Sequence, residues 1–167
     1  MATRVLVAYA TKLGSTREIA ETIGRVLREE GIETDVATAR SIQDLSPYDA
    51  VVLGSALYAA HWQRDANRFI GRHLELLRER PVWLFSSGPL DRSADWGRLP
   101  ATPAVALTTE PIGARDHRTF GGRLLPDAAV DPRVLATHPI GDFRDWDAIR
   151  AWAAGIAREI EVLFPDG

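Results

Sequence analysis

The stretch YDAVVLGSALY, residues 48–58, is apolar at odd and even positions alike. Successive side chains of a strand point to opposite faces, so this run suits a strand covered on both sides, as in a parallel sheet between two layers of helices. The rest of the chain supplies matching parts. RVLVAYA (4–10) is another short β-branched run, and STREIAETIGRVLREEG after it repeats Ile19, Ile23, Val26 and Leu27 at helical spacing. Ser15 or Thr16 is placed to cap that helix, Glu18 and Glu21 sit in its early turns, and Gly31 suits the left-handed residue that ends it. IETDVATA (32–39) reads as an amphipathic strand near a sheet edge, while PVWLFSSGPL (81–90) and HRTFGGRL (117–124) complete five strands.

Two further helices follow from periodicity. Residues 64–79 put Ala66, Phe69, Ile70, His73 and Leu77 on one side, and Pro81 stops the run. The last helix, in DWDAIRAWAAGIAREIEVLF, turns Ile149, Trp152, Ala153, Ile156, Ile160 and Leu163 inward. PATPAVALTTEPIGARD is a weaker helix interrupted by Pro111, and the proline-punctuated stretch 125–144 reads as irregular. Strand and helix alternation with right-handed crossovers predicts an α/β domain with a parallel sheet and helices on both faces. Five strands and a terminal helix suit a flavodoxin-like or receiver-like domain, and the expected arrangement is a three-layer, flavodoxin-like fold with a five-stranded parallel sheet in the order 2-1-3-4-5. At 167 residues, one domain spanning 1–167 is expected. In such sheets ligands bind outside the carboxyl ends of the strands, which directs attention to the ends of the first, third and fourth.

Composition narrows the chemistry. With no cysteine there is no disulfide, thiolate metal site or cysteine nucleophile, so redox chemistry requires a bound cofactor. The four histidines are scattered without metal-ligand spacing, and no metal site is expected. A formal charge of -3 argues against nucleic-acid binding through a basic face. No apolar run is long enough for a membrane span and the N-terminus does not read as a signal peptide, so a cytosolic location is expected.

The loop after the first strand carries the clearest chemistry. TKLGST holds Thr11, Lys12, Leu13, Gly14, Ser15 and Thr16 and opens directly into a helix. Unpaired backbone N–H groups at a helix start attract a phosphate, three hydroxyls add donors, and glycine permits close approach. The loop has neither Walker spacing nor the Gly-x-Gly-x-x-Gly fingerprint, which disfavours nucleotide hydrolysis and ordinary NAD binding. The third strand ends in GSALYAAHWQRD, with Tyr58, His61 and Trp62 close together, and the fourth in SSGPLDRSADWG, with Trp96 further on. A planar ring with apolar faces and polar edges needs such a pair of small, aromatic-bearing loops. Trp62 is equally well explained as core packing, Trp83 reads as a core residue, and Trp146 and Trp152 read as packing residues of the last helix. A receiver-type signalling domain needs acidic residues at the ends of the first and third strands, and those places hold Thr11, Lys12, Gly54 and Ser55.

Taken in order, YATKLGST, VVLGSALYAAHW, FSSGPL, FGGRL and GDFRDWDAIRAWA resemble the flavodoxin-domain family that includes the menaquinone-dependent protoporphyrinogen oxidases of bacteria. The resemblance covers most of the chain. It implies noncovalent FMN, with Thr11, Lys12, Leu13, Gly14, Ser15 and Thr16 at its phosphate. Ser55, Ala56, Leu57 and Tyr58 would lie on one side of its ring and Ser86, Ser87, Gly88 and Pro89 on the other. The implied activity is electron transfer or FMN-dependent oxidoreduction with a redox partner protein, a quinone or another small-molecule substrate. The narrower alternative is quinone-dependent protoporphyrinogen oxidation in heme biosynthesis, and a flavin-free interaction domain is a third possibility. His61 is the one proton-donor candidate. Two departures stand out: Leu13 occupies the place of a third hydroxyl in typical electron-transfer flavodoxins, and 125–144 is shorter than the corresponding insertion of the oxidases, with only Arg133 and Arg144 as cations.

Overall fold

The structure is a computed structural model that describes residues 2–12, 14–89, 93–96, 99–124, 132–133 and 141–166. Its centre is a parallel sheet of five strands: β1 (Arg4–Ala10), β2 (Glu33–Thr38), β3 (Ala50–Tyr58), β5 (Val82–Ser87) and β6 (Asp116–Phe120), in the order β2-β1-β3-β5-β6. That is the expected order, renumbered because a short strand β4 (His61–Trp62) folds back antiparallel on the end of β3. Two more short strands, β7 (Arg123–Leu124) and β8 (Gly141–Asp142), pair with each other outside the main sheet. The helices are α1 (Ser15–Glu29), α2 (Arg64–Glu79), α3 (Pro103–Thr109) and α4 (Trp146–Leu163).

The alternation of strand side chains builds two cores. Val5, Val7, Val52, Trp83 and Phe85 face α1 and α4, while Leu6, Ala8, Val51, Leu53 and Leu84 face the layer of α2 and α3. Because both sides of β3 are covered, it is apolar at successive positions, as its sequence requires. Each buried Leu, Ile, Val or Phe removes enough apolar surface from water to contribute about 1.5–3 kcal/mol. The α2 side chains Ala66, Phe69, Ile70, His73 and Leu77 are all buried, as their spacing predicts. Gly31 takes φ 83° after α1, and the N–H groups of Gly31 and Ile32 close the helix on the carbonyls of Arg28 and Leu27.

Several expectations are corrected. HRTFGGRL is not one strand: β6 ends at Phe120, Gly121 admits the Phe143 backbone so closely that a Cβ there would stand 2.0 Å from its carbonyl oxygen, and pairing resumes at β7. Most of 125–144 lies outside the described residues, but its end is a strand rather than irregular. Leu163 is 37% exposed instead of inward, as the last turn of α4 runs past the core and leaves Val162 in solvent too. The interrupted helix before β6 forms as α3, capped by the Thr102 hydroxyl on the Val105 N–H, and Pro111 falls in a 3-10 turn after it.

The β3–β4 hairpin turns on Ala59 and Ala60, with φ 49° and 65°. Two residues with positive φ match the twist of a tight hairpin, but alanine in that region costs about 1–2 kcal/mol per residue relative to its usual conformation. The Thr102 hydroxyl donates to the Ala60 carbonyl at 2.6 Å and helps hold the turn.

Gly54 on β3 pairs in register with Phe85, and a Cβ there would come within 2.1–2.3 Å of the Phe85 ring. That ring stands edge-on to Trp152 at 6.1 Å, so it has nowhere to retreat. Gly54→Ala is expected to lower unfolding free energy by about 1–3 kcal/mol, measured by urea denaturation; an unchanged midpoint would contradict this packing. His73 is buried, with Nε2 donating to the Ile42 carbonyl at 3.3 Å. Burial, helped by Arg72 and opposed by that hydrogen bond and Asp44, holds its pKa below the usual 6.5. The unfolded chain therefore protonates first as pH falls, and stability is lost below about pH 6.5. His73→Gln, which keeps an N–H donor, should flatten the pH dependence of the denaturation midpoint between about pH 7 and 5; equal slopes in the two proteins would refute the assignment.

Candidate functional site

The register of the sheet brings three strand ends to one level: Ala10 lies beside Ser55 and Ser55 beside Ser86. The loops they feed are those singled out in the sequence, except that Leu13 lies outside the described residues.

In the first loop the helix begins earlier than a Ser15 or Thr16 cap requires. Gly14 occupies the cap position in the left-handed region at φ 89°, so Ser15 and Thr16 are the first two helical residues and no side chain caps α1. The Thr11 hydroxyl instead accepts the Gly14 N–H at 2.9 Å, which fixes the loop. The amides at the start of a 15-residue helix are left without side-chain acceptors. Thr16 is 0% exposed, yet its Oγ1 has no hydrogen-bond partner. Leaving a buried hydroxyl unsatisfied costs about 1–3 kcal/mol, which a bound acceptor would recover.

The other two loops divide by whether their hydroxyls are engaged. Ser55 donates to the Ala56 carbonyl at 3.0 Å and accepts the Gln63 N–H at 2.9 Å, so it locks the hairpin. Ser86 accepts the Trp62 Nε1–H at 2.8 Å and lies 2.9 Å from His117 Nε2. Ser87 is equally buried, but its Oγ has no partner. Gly88 binds the Phe120 carbonyl through its N–H at 3.1 Å, and Gly122 binds that of Pro89 at 3.0 Å. A Cβ on Gly88 would stand 2.9 Å from Leu57 Cβ, so the two loops touch there. Ala56 and Leu57 are half-buried, and Tyr58 is 51% exposed.

Lys12 reaches across from the first loop, its Nζ 4.0 Å from the centroid of the Tyr58 ring. His61 is exposed, and its Nδ1–H donates to the Ala59 carbonyl at 2.8 Å, which leaves Nε2 facing no protein partner among the described residues. Trp62 and Trp83 are core residues, and Trp152 packs edge-on to Phe85 and Phe120. The side chain of Trp96 lies outside the described residues.

Two residues of this region carry no clear sequence signal. His117 on β6 shares Ser86 with Trp62, its Nδ1 is buried without a partner, and burial holds its pKa below the ordinary value. Arg144, whose side chain is only 3% exposed, grips Asp142 with Nη2 at 2.6 Å, meets Glu18 at 3.5 Å and donates to the Ser15 carbonyl at 3.4 Å. Its pairing with Asp142 raises its pKa and lowers that of the carboxylate. Proximity to Asp142 was visible in the sequence; proximity to α1, 129 residues away, was not.

Residues 6–127 match the Flavodoxin domain family. Over 105 residues the chain is 30% identical to Protoporphyrinogen IX dehydrogenase [quinone] of Escherichia coli strain K12, an alignment covering 62% of this chain. The chain spans 58% of the length of that curated relative. Among solved structures, flavodoxin 2 of Bacillus cereus superposes with a TM-score of 0.65 at 20% identity, covering 94% of this chain and 99% of that one. A flavodoxin from the domain Archaea gives 0.64 at 15% identity, covering 95% and 99%. The family match and the shared strand order imply FMN as the cofactor of a redox protein. The chain belongs to the flavodoxin domain family.

Proposed function

We propose that the chain holds FMN noncovalently across the three strand ends and passes electrons between a donor and an acceptor through it. The observation that carries this reading is the buried, unpartnered Thr16 hydroxyl beside an uncapped helix start. A phosphate at that point would accept from the α1 amides and from the hydroxyls of Ser15 and Thr16, with Gly14 allowing its approach. Thr11 shapes the loop, Lys12 adds positive charge at its rim, and Leu13 completes the segment. The ring would lie between the loop of Ser55, Ala56, Leu57 and Tyr58 and that of Ser86, Ser87, Gly88 and Pro89. The free Ser87 hydroxyl would meet its polar edge. When bound, FMN supplies one- and two-electron chemistry, and the protein supplies position and electrostatics. Ser55 and Ser86 contribute by bracing the hairpin and the β5 end, and His61 is the exposed group from which a proton would come.

The narrower reading is quinone-linked oxidation of protoporphyrinogen, supported by the 30% identity over 105 residues to the relative from Escherichia coli. The chain spans 58% of that relative's length, so the activity of the whole relative enters here as a proposal only.

The purified protein is expected to show flavin absorbance, or to gain it with added FMN. Thr16→Val should weaken FMN binding by about 1–3 kcal/mol in a fluorescence titration. An unchanged affinity would remove Thr16 from the phosphate site, and a native protein that binds no FMN would favour the flavin-free interaction domain. Incubating protoporphyrinogen and a menaquinone analogue with the FMN-loaded protein should yield porphyrin faster than the spontaneous reaction. Bound flavin without such acceleration would sink the narrower reading while leaving the broader one standing.

A further inference from the structure

A second polar recess lies outside these loops. Arg40, in the 3-10 turn after β2, faces Arg64, Arg68 and Arg72 of α2 across a groove of about 680 Å³ also lined by Gln43 and Asp65, with Phe69 beneath. None of these residues belongs to 11–16, 55–58 or 86–89. Both walls follow carboxyl ends of strands, so the groove opens at the same end of the sheet as the candidate flavin site. The Ile42 carbonyl accepts from Arg72 Nη1 and from His73 Nε2, each at 3.3 Å, and this ties the turn to the helix and fixes the groove's width.

The charges in this groove are gathered on one side of the molecule with little to offset them. Several other arginines meet a carboxylate: Arg17 with Glu21 along α1, Arg4 with Asp35 between strands, Arg123 and Arg144 with Glu18, Arg150 with Asp147 along α4. Here four arginines stand against one aspartate, and among the described residues none of the four pairs with a carboxylate. Arg64, Arg68 and Arg72 recur every fourth residue, stacking like charge along about 12 Å of helix at 1.5 Å per residue. Each such like-charged pair disfavours the helix by about 0.2–0.5 kcal/mol. An arrangement that costs stability in the free protein is relieved by an anion held between the two walls.

We propose that this groove binds a small molecule carrying two or more phosphate groups. A guanidinium presents its N–H groups as a planar fork that fits phosphate oxygens in pairs, and a row of three with a fourth opposite matches a chain of linked phosphates better than a single one. The Asp65 carboxylate accepts and the Gln43 amide both donates and accepts, which suits hydroxyl or amino groups on the remainder of the ligand. Phe69 is 1% exposed and offers no ring face for stacking, so recognition is polar and led by the phosphates. This site is independent of the FMN reading, since it shares no residue with it.

The test is calorimetric titration of the full chain with inorganic tripolyphosphate and with ADP, in saturating FMN so that the Thr16 loop is occupied if it binds phosphate. Saturable one-to-one binding that weakens as salt rises is expected. Arg68→Glu with Arg72→Glu should reduce affinity about tenfold or more, whereas Arg25→Glu with Arg158→Glu, which changes net charge equally on exposed positions of α1 and α4, should stay within about twofold. Arg68→Gln with Arg72→Gln gives the same direction without charge reversal, and circular dichroism confirms that each variant is folded. Absence of saturable binding to the native protein would overturn the proposal, as would equal losses in the groove and control variants. Binding only to poly-glutamate or to RNA, with none to the small polyphosphates, would overturn it as well.

Discussion

Everything at the functional end of this molecule depends on β3 having a partner on each edge and a helical layer on each face. The pairing of β3 with β1 and β5 sets where three loops emerge, and covering both faces makes that register hard to shift, since a one-residue slip would exchange the two cores. Gly54 shows how tight the constraint is. It lies one residue before the strand reaches the site, and its missing side chain is the space that the Phe85 ring fills. Packing in the α1–α4 layer and loop geometry at the strand tips are thus fixed by the same few residues.

At those tips, polar groups do two kinds of work. Thr11, Ser55 and Ser86 have hydroxyls engaged in holding the backbone or a neighbouring ring, so they stiffen the loops. Thr16 and Ser87 are as deeply buried but have unpartnered hydroxyls. Buried hydroxyls in a folded protein ordinarily find partners. Two that do not, one at the start of α1 and one at the end of β5, stand on either side of the β3 tip, where the proposed cofactor would supply the missing acceptors. A serine or threonine in such a loop therefore says little by type alone; its bonding decides whether it is structural or open.

The sequence disclosed what repeats and hid what depends on distance. The buried face of α2 was legible residue by residue because helical spacing reports burial directly, and the parallel sheet followed from the alternation of elements, its order from the fold class those elements suit. The β3–β4 hairpin was not legible, because its turn is Ala59-Ala60 rather than an Asn-Gly or Asp-Gly pair and is held by Thr102 from far along the chain. The start of α1 was misplaced because serine and threonine are good caps as well as good phosphate ligands, and only the left-handed Gly14 separates the two roles. Leu163 satisfied the periodicity of α4, but periodicity does not say where the core ends. Arg40 and the α2 arginines are separated by more than twenty residues, so their convergence required the fold.

Lys12 shows how the loops act on one another. Its ammonium reaches from the loop after β1 and sits over the exposed ring of Tyr58, joining the first loop to the tip of β3. At an exposed position such a contact is worth about 0.5–1 kcal/mol. A flavin ring lying against Tyr58 would compete with Lys12 for that face. The loss is smaller than what the Thr16 hydroxyl alone stands to recover by gaining an acceptor, about 1–3 kcal/mol. On the proposed placement the balance would favour opening the contact, and a lysine released from Tyr58 would remain beside the anionic end of the ligand.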